Sequence, residues 1–188
     1  MEFIAFSKEI NSVFQNLEIP QRLYAHLMIV HDVANKLLEE INRTWENLNI
    51  DKNLFLFGAA THDIGKTIYT NELSEARHKH EQAGLHLLLS LGIFEEKSKF
   101  AASHSSWSES STLEELLVSL ADKIWKGSRV QDLEDLIVSK IVAVTKCEPW
   151  EVFCSLDTII QTITKDSDKL LGYANNCKPI DLFCKEIH

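Results

Sequence analysis

The sequence is poor in chain breakers, with 6 Gly and 3 Pro among 188 residues. Both residue types interrupt regular backbone, so their scarcity excludes a fold of many short strands and tight turns and favours helices. No apolar run approaches the ~18 residues of a membrane-spanning helix. The opening MEFIAFSKEI lacks a basic stretch followed by a long apolar run, so it does not read as a signal peptide, and a cytoplasmic setting is expected. Positive charge is also in short supply: 19 Lys and Arg stand against 28 Asp and Glu, for a net charge of -9. A chain that coats a nucleic-acid backbone is usually basic, so no nucleic-acid polymer is expected as partner, while a local basic pocket for a small anion remains open. The cysteines Cys147, Cys154, Cys177 and Cys184 include no C-x-x-C pair. The seven-residue step from Cys147 to Cys154 puts those two on one helical face, and they are expected as small core residues in a reducing compartment.

The length suits a single domain with a real core, spanning residues 1–188. Apolar residues at helical spacing (Phe3, Ile4, Phe6, Ile10, Val13, Phe14 and Leu17) predict a first helix over 2–17. Pro20 opens a second, to about residue 42, and Asp51 caps a third, DKNLFLFGAATHDIGK. Residues 67–75 form a polar connection. A fourth helix covers about 76–91, ended by Gly92, and a fifth about 95–104. After the serine-rich loop SSWSESS, Ser111 or Thr112 caps TLEELLVSLADKIWKG, with Glu114 and Glu115 where the helix dipole favours them. Helices over about 130–145 and 149–165 follow, then a short mixed tail with room for a last helix after Pro179. No strand pattern or internal repeat is present, and the fold class is all-α.

What the chain does have is histidine, eight in all. His62-Asp63 lies in GAATHDIGK. Adjacent helical residues point about 100° apart, so the two cannot normally face one interior site. A metal near the helix surface can nonetheless take a nitrogen from one and an oxygen from the other. Gly58, Ala59, Ala60 and Gly65 would let neighbouring helices and a ligand come close. Taken alone, the dipeptide reads more simply as an exposed polar pair at a helix end.

The surroundings change that reading. HDIGK after a small and apolar run resembles the signature of HD-domain phosphohydrolases, an all-α family whose ligands come in the order His, His-Asp, often two further His, then Asp. RLYAHLMIVHDVANKLLEEI resembles the first helix, with His26; HKHEQAGLHLLLSLGI resembles the third-histidine helix, with His80; AASHSSW supplies His104 and SLADKIWKG supplies Asp122. The resemblance covers about residues 20–130, leaving C-terminal helices over about 130–188. It implies a metal set of His26, His62, Asp63, His80, His104 and Asp122, holding one or two divalent ions. The two further histidines are similar to the binuclear members, in which the Asp of the pair, here Asp63, bridges the metals and a shared water is the nucleophile. Imidazole and carboxylate suit Fe or Mn, with Zn or Ni as further candidates, over Ca or Cu(I).

Two choices need the helical wheel. His26 and His31 lie about 140° apart, so only one can face the site. His26 shares its face with Val30, Val33 and Leu37 and is chosen; His31 is then a surface or supporting residue. His80 shares its face with Gly84, Leu87 and Leu91 and is preferred to His78 and His86, which are left as ordinary polar residues.

Basic residues recur one or two turns from the ligands: Arg22 four before His26, Lys66 three after Asp63, and Lys126 and Arg129 four and seven after Asp122. They read equally as solvated surface charge, but in the family resembled the Lys of HDIGK contacts substrate phosphate. Asp63 and Lys66 are therefore the expected catalytic pair, and Arg22, Lys66, Lys126 and Arg129 the substrate-binding residues. Trp107, just after His104, either stacks on a base or anchors its loop. The expected activity is metal-dependent hydrolysis of a small phosphate ester, a nucleotide or dinucleotide. The nearest likeness is to small bacterial HD hydrolases, including, loosely, the symmetrical diadenosine-tetraphosphate hydrolases. No GYP motif of cyclic-dinucleotide phosphodiesterases follows HDIGK, where the chain reads TIYTNEL. Two rivals are an HD-fold diiron oxygenase, with the same six ligands, and a non-catalytic nucleotide-binding module. A homo-oligomer is compatible with the sequence.

Overall fold

Residues 21–44, free of Gly and Pro, form the longest helix of the computed structural model, which describes residues 2–75 and 77–176. The helices are α1 (Lys8–Gln15), α2 (Gln21–Thr44), α3 (Lys52–Thr61), α4 (Lys79–Ser90), α5 (Glu95–Ser98), α6 (Phe100–Ser103), α7 (Leu113–Ile124), α8 (Gln131–Thr145), α9 (Pro149–Thr164) and α10 (Ser167–Asn176). Two 3-10 turns, Ile64–Thr67 and Thr70–Leu73, connect α3 to α4, and no strand occurs among the described residues. The chain is all-α. Among those residues no helix is long and apolar enough to cross a membrane.

Two starts follow directly from side-chain chemistry. Asp51 accepts a hydrogen bond from the Leu54 amide and opens α3. Thr112 and Glu115 close a reciprocal capping box at α7. The first helix is shorter than its apolar spacing predicts. Residues 2–7 are not helical, because Ser7 caps α1 through the Ile10 amide and the Ile4 amide donates instead to Asp32 of α2, at 3.1 Å. The helix expected over 95–104 is divided at Lys99 into α5 and α6, and the tail read as mixed contains α10. The region after Pro179, with Cys177 and Cys184, lies outside the described residues. Cys147 is half-buried, but Cys154 is exposed and is not a core residue: Val152, Leu156, Ile159, Ile160 and Ile163 take the buried face of α9.

Most of α2 is buried, and it packs on α3, α7, α9 and α10. Each fully buried Leu or Ile there contributes ~1.5–3 kcal/mol by leaving water. The core has two apolar clusters, and α3 belongs to both: Phe55 and Ala59 face the larger, Phe57 and Ala60 the smaller. A helix held on both sides carries its C-terminal end, and therefore His62, into the interior.

Candidate metal centre

The α-helical run of α3 stops at Thr61, whose hydroxyl turns back to the Phe57 carbonyl at 2.8 Å. His62 keeps helical dihedrals, but Asp63 moves to φ -103° and ψ 12° before the 3-10 turn begins. This break removes the offset that a continuous helix would impose, so both side chains turn to one place. Gly65 then lets that turn lie directly on α4. A Cβ at position 65 would stand 1.9 Å from the backbone oxygen of His80. The absent side chain thus sets the distance between Asp63 and His80.

Six side chains converge in two triads. His26 (α2), His62 and Asp122 (α7) form one, and Asp63, His80 (α4) and His104 the other; within each, the candidate ligand atoms lie within 4.8 Å of one another. His26 Nε2 is 3.1 Å from His62 Nε2 and 3.5 Å from Asp122 Oδ1. Asp63 joins the two groups with separate oxygens. Its Oδ2 is 3.2 Å from His26 Nε2, and its Oδ1 is 3.1 Å from His80 Nε2 and 3.3 Å from His104 Nε2.

The imidazoles are aimed by their far nitrogens. His62 Nδ1 lies 2.9 Å from the Ala59 carbonyl and His104 Nδ1 3.1 Å from the Ala101 carbonyl. A carbonyl only accepts, so Nδ1–H donates and Nε2 presents a bare lone pair to the centre. His80 is held by a carboxylate instead: Glu72 Oε2 is 2.6 Å from its Nδ1. Asp63 Oδ1 and His80 Nε2 are both fully enclosed, and despite their proximity neither makes an aligned hydrogen bond. Two electron-rich atoms face each other in a dry space, an arrangement relieved by a cation. The residues present therefore fit divalent metal.

The electrostatics agree. Burial pushes the Asp63 carboxyl up, but His62, His104, His26 and His80 together hold it well below the usual carboxylate range. Burial opposes ionisation of Asp122 too, and His62, His26 and Lys126 hold it well below that range. Both carboxylates are charged and ready to coordinate.

Above the triads opens a cleft of about 460 Å³. Lys66, Lys126 and Arg22 line it, and so does Lys123, which the sequence reading passed over. Lys66 Nζ is 2.5 Å from Asp63 Oδ2, Lys123 Nζ 2.8 Å from Asp122 Oδ2 and Lys126 Nζ 3.9 Å from Asp122 Oδ1. Two expected substrate residues are elsewhere. Arg129 clamps the buried Glu134 at 2.6 Å and Asp157 at 2.8 Å, so its guanidinium ties α8 to α9 and does not line the cleft. Trp107 is half-buried against the larger apolar cluster and is a loop anchor. His31 is neither a surface residue nor near the centre: it is 2% exposed and packs on the Phe6 ring with centroids 4.8 Å apart. His86 is exposed, while His78 lines the cleft and bonds Glu81 at 2.6 Å. Glu72 was missed altogether. It reads as one acid in a polar connection, and no helical spacing links it to His80.

A family model described as the HD domain matches residues 23–125, just over half of the chain, and encloses all six residues of the two triads. No curated protein and no solved structure matches the chain.

Proposed function

The chain belongs to the HD-domain family, and from that premise we propose that it is a metal-dependent phosphohydrolase acting on a small phosphate ester, a nucleotide or dinucleotide. One observation carries the reading: Asp63 turns one carboxylate oxygen to each triad, as a ligand shared by two ions would. In this reading His26, His62 and Asp122 would hold one divalent ion and His80 and His104 the other, with Asp63 available to both, and Fe or Mn preferred over the further candidates Zn or Ni. Bound there, the ions supply Lewis acidity and a water of lowered pKa.

The protein's own groups do the rest. Lys66, Lys123 and Lys126 stand beside the ligand carboxylates and face the cleft, where their charge meets phosphoryl oxygens. Arg22 adds a guanidinium suited to bidentate phosphate contact. This concentration of cations in an acidic chain favours an anionic substrate over a neutral one. The test is metal analysis of protein purified without chelator, then a screen of phosphate esters and dinucleoside polyphosphates. Wild type should carry metal and release phosphate or nucleotide, and Asp63→Ala should lose both properties together. Metal-loaded protein that cleaves no ester but consumes O₂ with an organic substrate would put the oxygenase in its place.

A further inference from the structure

The cleft has two unlike ends. Beside Asp63, His80 and His104 it is lined by Leu73 and by five side chains able to hydrogen-bond, Lys66, Arg77, His78, Glu81 and Ser105. At the His26 end Leu23 of α2, Trp125 just past α7, and Leu171 and Ala174 of α10 give the wall apolar side chains beside the cations Arg22, Lys123 and Lys126. The Trp125 ring packs on the His26 imidazole with centroids 5.6 Å apart, and α10 packs along α2, so this wall borders the first triad. Asn175 stands at its edge. Among the described residues the Asn175 side chain has no hydrogen-bond partner and Arg22 no ion-pair partner. Leu171, Ala174 and Asn175 also lie beyond residue 125, where the family match ends. All six residues of the two triads lie inside the matched region and α10 lies outside it, and discrimination between substrates commonly resides in walls added around a shared centre.

We propose that Trp125, Leu171, Ala174 and Asn175 form the subsite for the organic group of the substrate, and that this group is a flat heteroaromatic ring. The proposal rests on the phosphohydrolase reading for the other end of the ligand. Apolar walls accept the faces of a ring without loss of hydrogen bonds. The Asn175 amide offers an acceptor and donors in one plane, the pattern that the edge of a nucleobase complements. A sugar alone would press hydroxyls on the Leu171 and Ala174 side chains, which cannot receive them. A cleft of about 460 Å³ has room for a nucleoside phosphate. Arg22, with no ion-pair partner among the described residues, adds a cation for the ester at this end of the cleft.

The test is calorimetric titration of the metal-loaded protein with the non-hydrolysable phosphonates of adenosine 5′-monophosphate and ribose 5-phosphate, and with inorganic phosphate. Wild type should prefer the adenosine ligand over the ribose ligand by about tenfold, the value of one stacked base. Ala174→Leu fills the subsite, and Asn175→Ala, at an exposed position, removes the edge contact without endangering the fold. Each should cut the preference to roughly a third or less while ribose and phosphate ligands bind as before. Equal binding of the two phosphonates by wild type overturns the proposal, as does an unchanged preference in both variants. Ring preference without cleavage of any ester would sink the phosphohydrolase reading and keep the subsite; cleavage without ring preference would do the reverse.

Discussion

Glu72 Oε2 accepts two hydrogen bonds from His80, one from its Nδ1 at 2.6 Å and one from its backbone amide at 3.1 Å. Both side chains are buried, and the pair fixes the imidazole in place and tautomer before any ligand arrives. Burial pulls the His80 pKa down, but Asp63 and Glu72 outweigh it and raise it. Glu72→Ala should therefore weaken metal binding by roughly 10–100-fold, chiefly in the His80 half of the centre. Metal titration followed by spectroscopy of a Co²⁺-substituted protein would show it. Two ions held as tightly as in wild type would leave Glu72 without a positioning role.

Lys66 faces the cleft from one helical turn beyond Asp63. In the proposed reaction its charge would meet phosphoryl oxygens in a partly dry site, where one such group is worth ~10²–10³ in rate. Lys66→Met should lose turnover by that factor and keep its metal. The informative comparison is metal content against kcat: if the variant loses metal and retains turnover per bound ion, Lys66 serves only to neutralise Asp63.

Arg129 lies outside the cleft, so Arg129→Ala should leave KM unchanged. It should lower stability by about 1–3 kcal/mol, because Glu134, 2% exposed, keeps only the Val130 amide and loses its charged partner. Urea unfolding and a substrate titration on the same preparation separate the two effects. A raised KM with an unchanged urea midpoint would restore Arg129 to the substrate.

His31 gives the protein an acid sensitivity independent of the metal centre. Burial lowers its pKa to about 4, although Asp32 opposes the shift. The unfolded chain takes up its proton near the ordinary value of about 6.5, so the unfolded state binds more protons between those limits. Stability is full above about pH 6.5 and is lost as pH falls towards 4, by about 2 kcal/mol at pH 5. His31→Leu removes the titration and keeps the contact with Phe6. Its urea midpoint should fall less than that of wild type between pH 7 and pH 5, and parallel declines would show that His31 is not the sensor.

Much of this arrangement is legible in the chain because it is local or periodic. Asp51 and Thr112 sit directly before apolar runs, and capping chemistry acts within one turn. The angle between His26 and His31 follows from five residues of helix, and it is His26 that stands beside His62. What escapes the sequence is set by contacts across space. Residues 2–7 have helical spacing, but a carboxylate 28 positions away takes the Ile4 amide. Glu72 meets His80 across a turn with no periodicity to announce it. Arg129 has the same look as a phosphate binder until Glu134 and Asp157 are seen around it.

Position 65 shows how strictly such a contact governs variation. Gly65 has no space for even a methyl group, since the His80 backbone already occupies it, and backbone cannot swing aside as a flexible side chain can. Gly172 in α10, by contrast, has nothing within 4 Å of the place a Cβ would take. In a library of every single substitution the second glycine should accept most residues. The first should accept none, and its row should stand empty alongside those of the two triads, although Gly65 itself belongs to neither triad and does not line the cleft.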